Sequence, residues 1–189
     1  MTEPNVIIMN GASSSGKSTF GKLLKSFVGL PYFYLSSDQF IEAGILPSVN
    51  RVIPDQVDSW NTIRPKFFDA FHRSIKVFAD AGNLVIVEHV VEQKPWFDQL
   101  VDLLRTHSVL YIGVHCPADE LDRRENARGD RFIGEGRSHI QDGIHTWSGY
   151  DVEINTLEQS AEENLQKVMD SIIRYDRHKS IFYNELGRT

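Results

Sequence analysis

The sequence predicts an α/β fold, a parallel five-stranded sheet flanked by helices, and three observations predict it. Short apolar runs at residues 6–9, 32–35, 84–87, 109–114 and 152–154 are separated mostly by helix-length segments, the alternation that builds a parallel sheet covered on both faces. Residues 61–81 place Phe67, Phe71, Ile75 and Phe78 on one helical stripe, and residues 157–174 do the same with Ala161, Leu165, Val168 and Ile172. Directly after the first run stands Gly11-Ala12-Ser13-Ser14-Ser15-Gly16-Lys17-Ser18-Thr19, which matches G-x-x-x-x-G-K-[ST].

Taken in order, each element has its own reason. The run 6–9 supplies the first strand, and residues 20–27 the helix after the glycine-rich loop. In such a loop the glycines let the backbone wrap a phosphate, with amide N–H groups pointing inward and the next helix starting with its positive end toward the anion. Lys17 then reaches the β- and γ-phosphates and the Ser18 hydroxyl ligates Mg²⁺, which makes the architecture a P-loop NTPase of the nucleotide-kinase type. The second run, 32–35, leads into Ser36-Ser37-Asp38 at the sheet edge that carries the loop. Asp38 there either takes the proton of an acceptor hydroxyl or caps a helix starting at Gln39.

Residues 40–60, with Gly44, Pro47 and Pro54, resist a regular assignment and are the candidate cover of an acceptor. Gly82 ends the long helix 61–81, and the run 84–87 ends in Glu88-His89. An acid at that strand end can hold Mg²⁺ through water, contact substrate or stay solvated. His89 is left outside the site, as a side chain that titrates near neutrality. Pro95 suits the first turn of a helix over 96–104, and Pro117 opens the next one. Cys116, after the fourth strand, reads as a small buried thiol, and Trp60, Trp96 and Trp147 as packing residues.

Asp122-Arg123-Arg124-Glu125-Asn126-Ala127-Arg128-Gly129-Asp130-Arg131 puts Arg124 and Arg128 on one helical face, with Arg131 just past Gly129. Arg124, Arg128 and Arg131 converging on the phosphate loop would stabilise a transferring phosphoryl group, with residues 128–149 as an Arg-rich lid. The other reading is a solvated face balanced by Asp119, Glu120, Asp122 and Glu125.

Composition narrows the partners. At 189 residues, 41% hydrophobic and 24% charged, the chain suits one globular domain spanning residues 1–189. A net charge of −6 argues against gripping nucleic acid through a broad basic face. No apolar run approaches the ~20 residues that span a bilayer, and the first five residues lack a signal-peptide pattern. With one cysteine, a reducing cytoplasm is the expected location. Seven histidines show no zinc spacing, and a homo-oligomer stays open.

These residues resemble the chloramphenicol phosphotransferase-like family of P-loop kinases, related in architecture to shikimate, gluconate and adenylylsulfate kinases. The resemblance covers most of the chain. It rests on Ile8-Met9-Asn10-Gly11 with Ser13-Ser14 and Gly16-Lys17-Ser18, on Asp38 with Phe40-Ile41-Glu42-Ala43, and on Gly113-Val114-His115-Cys116. The discriminating blocks are Arg124 to Arg131 and Tyr150-Asp151-Val152-Glu153-Ile154-Asn155-Thr156. It implies that Asp38 is the base for the acceptor hydroxyl and that Arg128 and Arg131 lie in the lid over the triphosphate. The family's antibiotic-modifying member ends a strand in two aspartates where this chain has Glu88-His89, and residues 44–60 show no similarity to it. The expected function is transfer of the ATP γ-phosphoryl group, with Mg²⁺, to a hydroxyl of a small antibiotic-like or metabolite acceptor. The alternatives are a nucleotide-sugar or polynucleotide-end kinase, and a nucleotide-binding switch without an acceptor.

Overall fold

In β1 (Val6–Asn10) every residue is buried, so this strand must have neighbours on both edges and helices on both faces. The computed structural model describes residues 3–46, 54–128 and 133–187, the side chains of 54–59 excepted. In it, β1 is the centre of a five-stranded parallel sheet of order β2-β3-β1-β4-β5, with β2 (Phe33–Ser36), β3 (Val85–His89), β4 (Val109–His115) and β5 (Val152–Asn155).

Alternate side chains of β1 serve two cores. Val6 and Ile8 face a cluster with Phe67, Phe68, Phe71 and Ile75 of α3 (Pro54–Asp80), Phe97 and Leu100 of α4 (Lys94–Leu103), and Phe182 of α8 (Ile181–Glu185). Ile7 and Met9 face Phe20 and Leu24 of α1 (Lys17–Phe27) and Val168 and Ile172 of α7 (Ala161–Ile173). The remaining helices are α2 (Ser37–Glu42), α5 (Ala118–Arg128) and α6 (Glu135–Gln141).

The main departures from sequence expectation are at element ends. β3 runs on through Glu88 and His89, because its pairing with β1 continues to Asn10↔His89 and keeps both polar residues buried. α3 begins at Pro54 rather than Asn61, since proline needs no N–H partner in a first turn, and it also carries Pro65 inside. Thus α2 and the first turns of α3 occupy much of the stretch 40–60, and α6 occupies part of 129–149. α7 starts at Ala161, after a reciprocal cap in which Ser160 Oγ accepts from Glu163 N–H and the Glu163 carboxylate from Ser160 N–H. Ala161 is consequently exposed, and Asn164 joins the buried face in its place.

Register places the chemistry. Ser36 lies beside Glu88, Met9 beside Glu88, and Asn10 between His89 and Gly113, so the ends of four strands meet where the glycine-rich loop leaves β1.

Candidate active site

The loop 11–16 returns on itself before α1. Gly16 adopts φ +93°, which a side chain would resist, and a Cβ there would come within 3.4 Å of Arg124 and Thr156. Ser14 also has a positive φ, of 60°. Lys17 folds back so that its Nζ donates to the carbonyl oxygens of Gly11 and Ala12, at 2.9 and 2.7 Å. Ser15 is buried, Ser14 is partly so, and neither hydroxyl has a hydrogen-bond partner among the described residues. Unpaired hydroxyls, a cationic ammonium and the N-terminus of an eleven-residue helix are the furniture of a polyphosphate seat, so the residues fit a nucleotide.

The strand-end carboxylate is bound into that seat. Ser18 Oγ donates to Glu88 Oε1 at 2.5 Å, and Tyr34 Oη donates to Glu88 Oε2 at 2.7 Å. Burial, reinforced by the Glu88 carboxylate, pushes the Tyr34 phenol far above its ordinary range, so it stays a donor. Oxygen donors from a hydroxyl and a carboxylate suit a hard divalent cation such as Mg²⁺. Among the described residues no group of three or more His, Cys, Asp or Glu could hold a metal, so phosphate oxygens would complete its shell.

Asp38 does not occupy the cap position. Ser36 precedes the first turn of α2, and Asp38 is its second residue, half-buried and lining the same cavity as Lys17, Ser18 and Glu88. That cavity has a volume of about 1000 Å³.

The arginine run divides. Arg124 Nη1 donates to the carbonyl of Ser14 and to Thr156 Oγ1, Nη2 to the Thr156 carbonyl, and Nε to Glu120. Arg124 therefore abuts the loop's outer turn and also lines the cavity. Arg128 is exposed on the cavity rim, whereas Arg131 lies outside the described residues. Glu120, with Arg123 and Arg124 both donating to it, is held down to about 2. Glu125, read in sequence as part of a charge balance, is fully buried: its two oxygens accept from the N–H groups of Gly134 and Gly136. That clasp sets α6 against the loop, where Ser13 N–H donates to His139 Nδ1 at 3.1 Å and Ser13 Oγ to Glu135 at 3.3 Å. A Cβ on Gly136 would sit 2.6 Å from the Ser13 carbonyl, so only glycine allows this approach.

The far half of the cavity is walled by Ile41, Trp60, Arg64, Phe68, His89 and Glu92. Arg64 is ion-paired with Glu92 and lies over the rings of Trp96 and Phe68, 5.0 and 5.5 Å from their centroids. His89 is buried against Phe68, Phe71 and Trp96. The expectation of titration near neutrality is overturned: burial, then His72, Lys17 and Arg64, push His89 well below the usual histidine range. Next to it, Val91 is gripped at both ends, its N–H donating to Asn10 Oδ1 at 2.8 Å and its carbonyl accepting from Trp147 Nε1 at 2.9 Å. Cys116 is buried, and burial pushes its thiol up.

Sequence reasoning missed Tyr34, Glu125, Arg64, Glu92 and His139. Only Glu125 carried a signal, an acid in an arginine run with glycines following at 129 and 134. The others are single polar residues joined by the fold from distant positions.

Residues 4–173 match the family described as chloramphenicol phosphotransferase-like protein. A protein of Mycobacterium tuberculosis, strain H37Rv, named as a candidate O-phosphotransferase, is 30% identical over 192 residues, which cover 90% of this chain and 83% of that protein. The fold is similar to that of a shikimate kinase from Acinetobacter baumannii solved with shikimate, at TM-score 0.63 and 15% identity over 92% of this chain and 94% of that one. It is similar also to the APS kinase of Mycobacterium tuberculosis solved with AMPPNP and APS, at TM-score 0.62 and 16% identity over 92% and 99%. With the P-loop, the strand-end acid and the arginine helix in one cavity, and with the family match spanning residues 4–173, the chain belongs to the chloramphenicol phosphotransferase-like family.

Proposed function

We propose that the protein is a small-molecule kinase, one catalytic unit that transfers the γ-phosphoryl group of ATP to a hydroxyl of an antibiotic-like or metabolite acceptor. The observation that carries this reading is the single cavity lined at one end by Lys17, Ser18 and Glu88 and at the other by an aromatic wall, with Asp38 lining it too. A nucleotide switch needs the first end and has no use for the second.

In this reading the amides of residues 13–19 bind the polyphosphate, and Lys17 exchanges its two carbonyl partners for phosphate oxygens. Ser18 and Glu88 hold Mg²⁺, which supplies neutralisation of charge on the β- and γ-phosphates. Asp38 orients the acceptor hydroxyl and takes its proton as the hydroxyl oxygen bonds to phosphorus and the bond to the ADP oxygen breaks. Arg124 braces the loop from behind, and Arg128 and Arg131 screen the charge on the transferring group. Glu125 fixes α6, which shields the reacting atoms from water.

The test is an ATP-consumption assay with Mg²⁺ against chloramphenicol, other antibiotics, sugars and nucleosides, with mass detection of an added phosphate. A phosphorylated product that vanishes in Lys17→Ala is expected. Tight ATP binding with no product from any small acceptor would overturn the reading.

A further inference from the structure

A chain of four side chains crosses from the surface of α3 to the cavity. Asp69 Oδ1 accepts from Gln99 Nε2 at 2.5 Å, while its Oδ2 is held by Arg73. That bond orients the Gln99 amide, so its Oε1 faces His72 Nδ1 at 2.7 Å. A carbonyl oxygen only accepts, and His72 Nδ1 therefore carries the proton. His72 Nε2 is then the acceptor in its 2.9 Å contact with His89 Nε2, which must donate. With that proton on Nε2, His89 Nδ1 is a bare lone pair. It is buried, it has no hydrogen-bond partner among the described residues, and His89 is one of the residues that line the cavity. A polar atom left unpaired at a ligand cavity calls for a ligand partner.

We propose that His89 is a specificity-determining contact of the acceptor site, its Nδ1 accepting a hydrogen bond from a second hydroxyl or N–H of the molecule that is phosphorylated. Asp69, Gln99 and His72 are positioning residues that hold this lone pair open. The substrate class is thereby narrowed to acceptors with two donors, the reacting hydroxyl and one more. Analogues lacking the second donor should react up to about a hundredfold less well, the scale of one buried acceptor left unpaired. The identity of the guest rests on the kinase reading above, whereas the tautomer does not.

The experiment is nitrogen NMR of the full chain labelled at histidine, with 1-propanol as the hydroxylic probe and methyl ethyl ether as its donor-free counterpart. In the wild type, His89 Nδ1 should be unprotonated and Nε2 protonated, and 1-propanol alone should shift the Nδ1 resonance in the hydrogen-bonded direction. Asp69→Asn, which still offers Gln99 an acceptor, should preserve that pattern, and Asp69→Leu should release the amide and protonate Nδ1 in part. A protonated Nδ1 in the wild type, or one indifferent to 1-propanol, overturns the proposal. In the phosphorylation panel, His89→Phe that still binds ATP should raise the acceptor KM at least tenfold with the ATP KM unchanged. Asp69→Leu should do the same more weakly, with Asp69→Asn restoring it. An unchanged acceptor KM also overturns the proposal. A panel without any product defeats the kinase reading only, and the NMR result then decides.

Discussion

The two ends of the cavity are built by different rules. At the phosphate end the groups are neighbours in sequence, mostly backbone and short side chains, gathered by one turn between β1 and α1. At the acceptor end, Arg64, Phe68, His89 and Glu92 come from α3, β3 and the segment after it, and their places depend on how helices pack. On the proposed reading, local geometry determines how the phosphate is held, and tertiary packing determines which molecule receives it.

Substitutions at each end can break this division. Lys17→Ala should lower phosphoryl transfer by about 10³-fold and weaken ATP binding, because one preorganised cation at the developing charge is lost. Product formation and ATP titration would read both effects. Asp38→Asn should leave ATP affinity intact and slow transfer by about 10²-fold or more, the scale of a positioned general base. Equal loss of nucleotide affinity would place Asp38 with the phosphate end instead. Glu88→Gln should raise the Mg²⁺ concentration needed for half-maximal turnover by about tenfold, as for altered metal surroundings. A turnover profile unmoved by Mg²⁺ titration would remove Glu88 from the cation.

Stability sharpens the comparison further. Glu125→Ala leaves the N–H groups of Gly134 and Gly136 without their carboxylate and should cost about 2 kcal/mol, visible as a lower urea midpoint. A further effect is a pH dependence at His145, which shares a hydrogen bond with Tyr150 and feels the charge of Lys17. Burial, then His115 and Lys17, hold His145 at about 4 against 6.5 for an ordinary histidine. Between those values the unfolded chain binds a proton that the folded chain refuses, so stability is complete above about 6.5 and is lost as pH falls toward 4. His145→Asn should reduce the fall of the urea midpoint across that window without abolishing it, since burial also holds His72, His89 and His139 below the ordinary histidine value, and an unchanged slope would assign the acid sensitivity to those residues alone.

The same division decides what could be read from sequence. The sheet, all five strands and the phosphate loop were legible because each depends on contiguous spacing: apolar runs, a glycine-lysine turn, prolines at helix starts. Asp38 and Glu88 were legible because strand ends in a parallel sheet share an edge. The extent of α3 was not, since Pro54 read as part of an irregular stretch although it opens the helix, a first-turn place where proline needs no N–H partner. Nor was the pairing of His72 with His89, seventeen residues apart, whose burial follows from a helix crossing a strand end. Arg124 was legible as a cation beside the phosphate loop, but its fourfold attachment to Ser14, Thr156 and Glu120 was not.

Fully buried Val91 is clamped by Asn10, from the strand that launches the phosphate loop, and by Trp147, from the segment after α6. Such a clamp works as a bulkhead. Remodelling Trp60, Arg64 or Phe68 on α3 to admit a different acceptor need not disturb the seat of the nucleotide, whereas a change at Asn10 would be felt in both compartments at once. If the wall carrying the aromatic residues receives the acceptor as proposed, it is the place to redirect this protein toward new substrates, and the clamp is the place to leave alone.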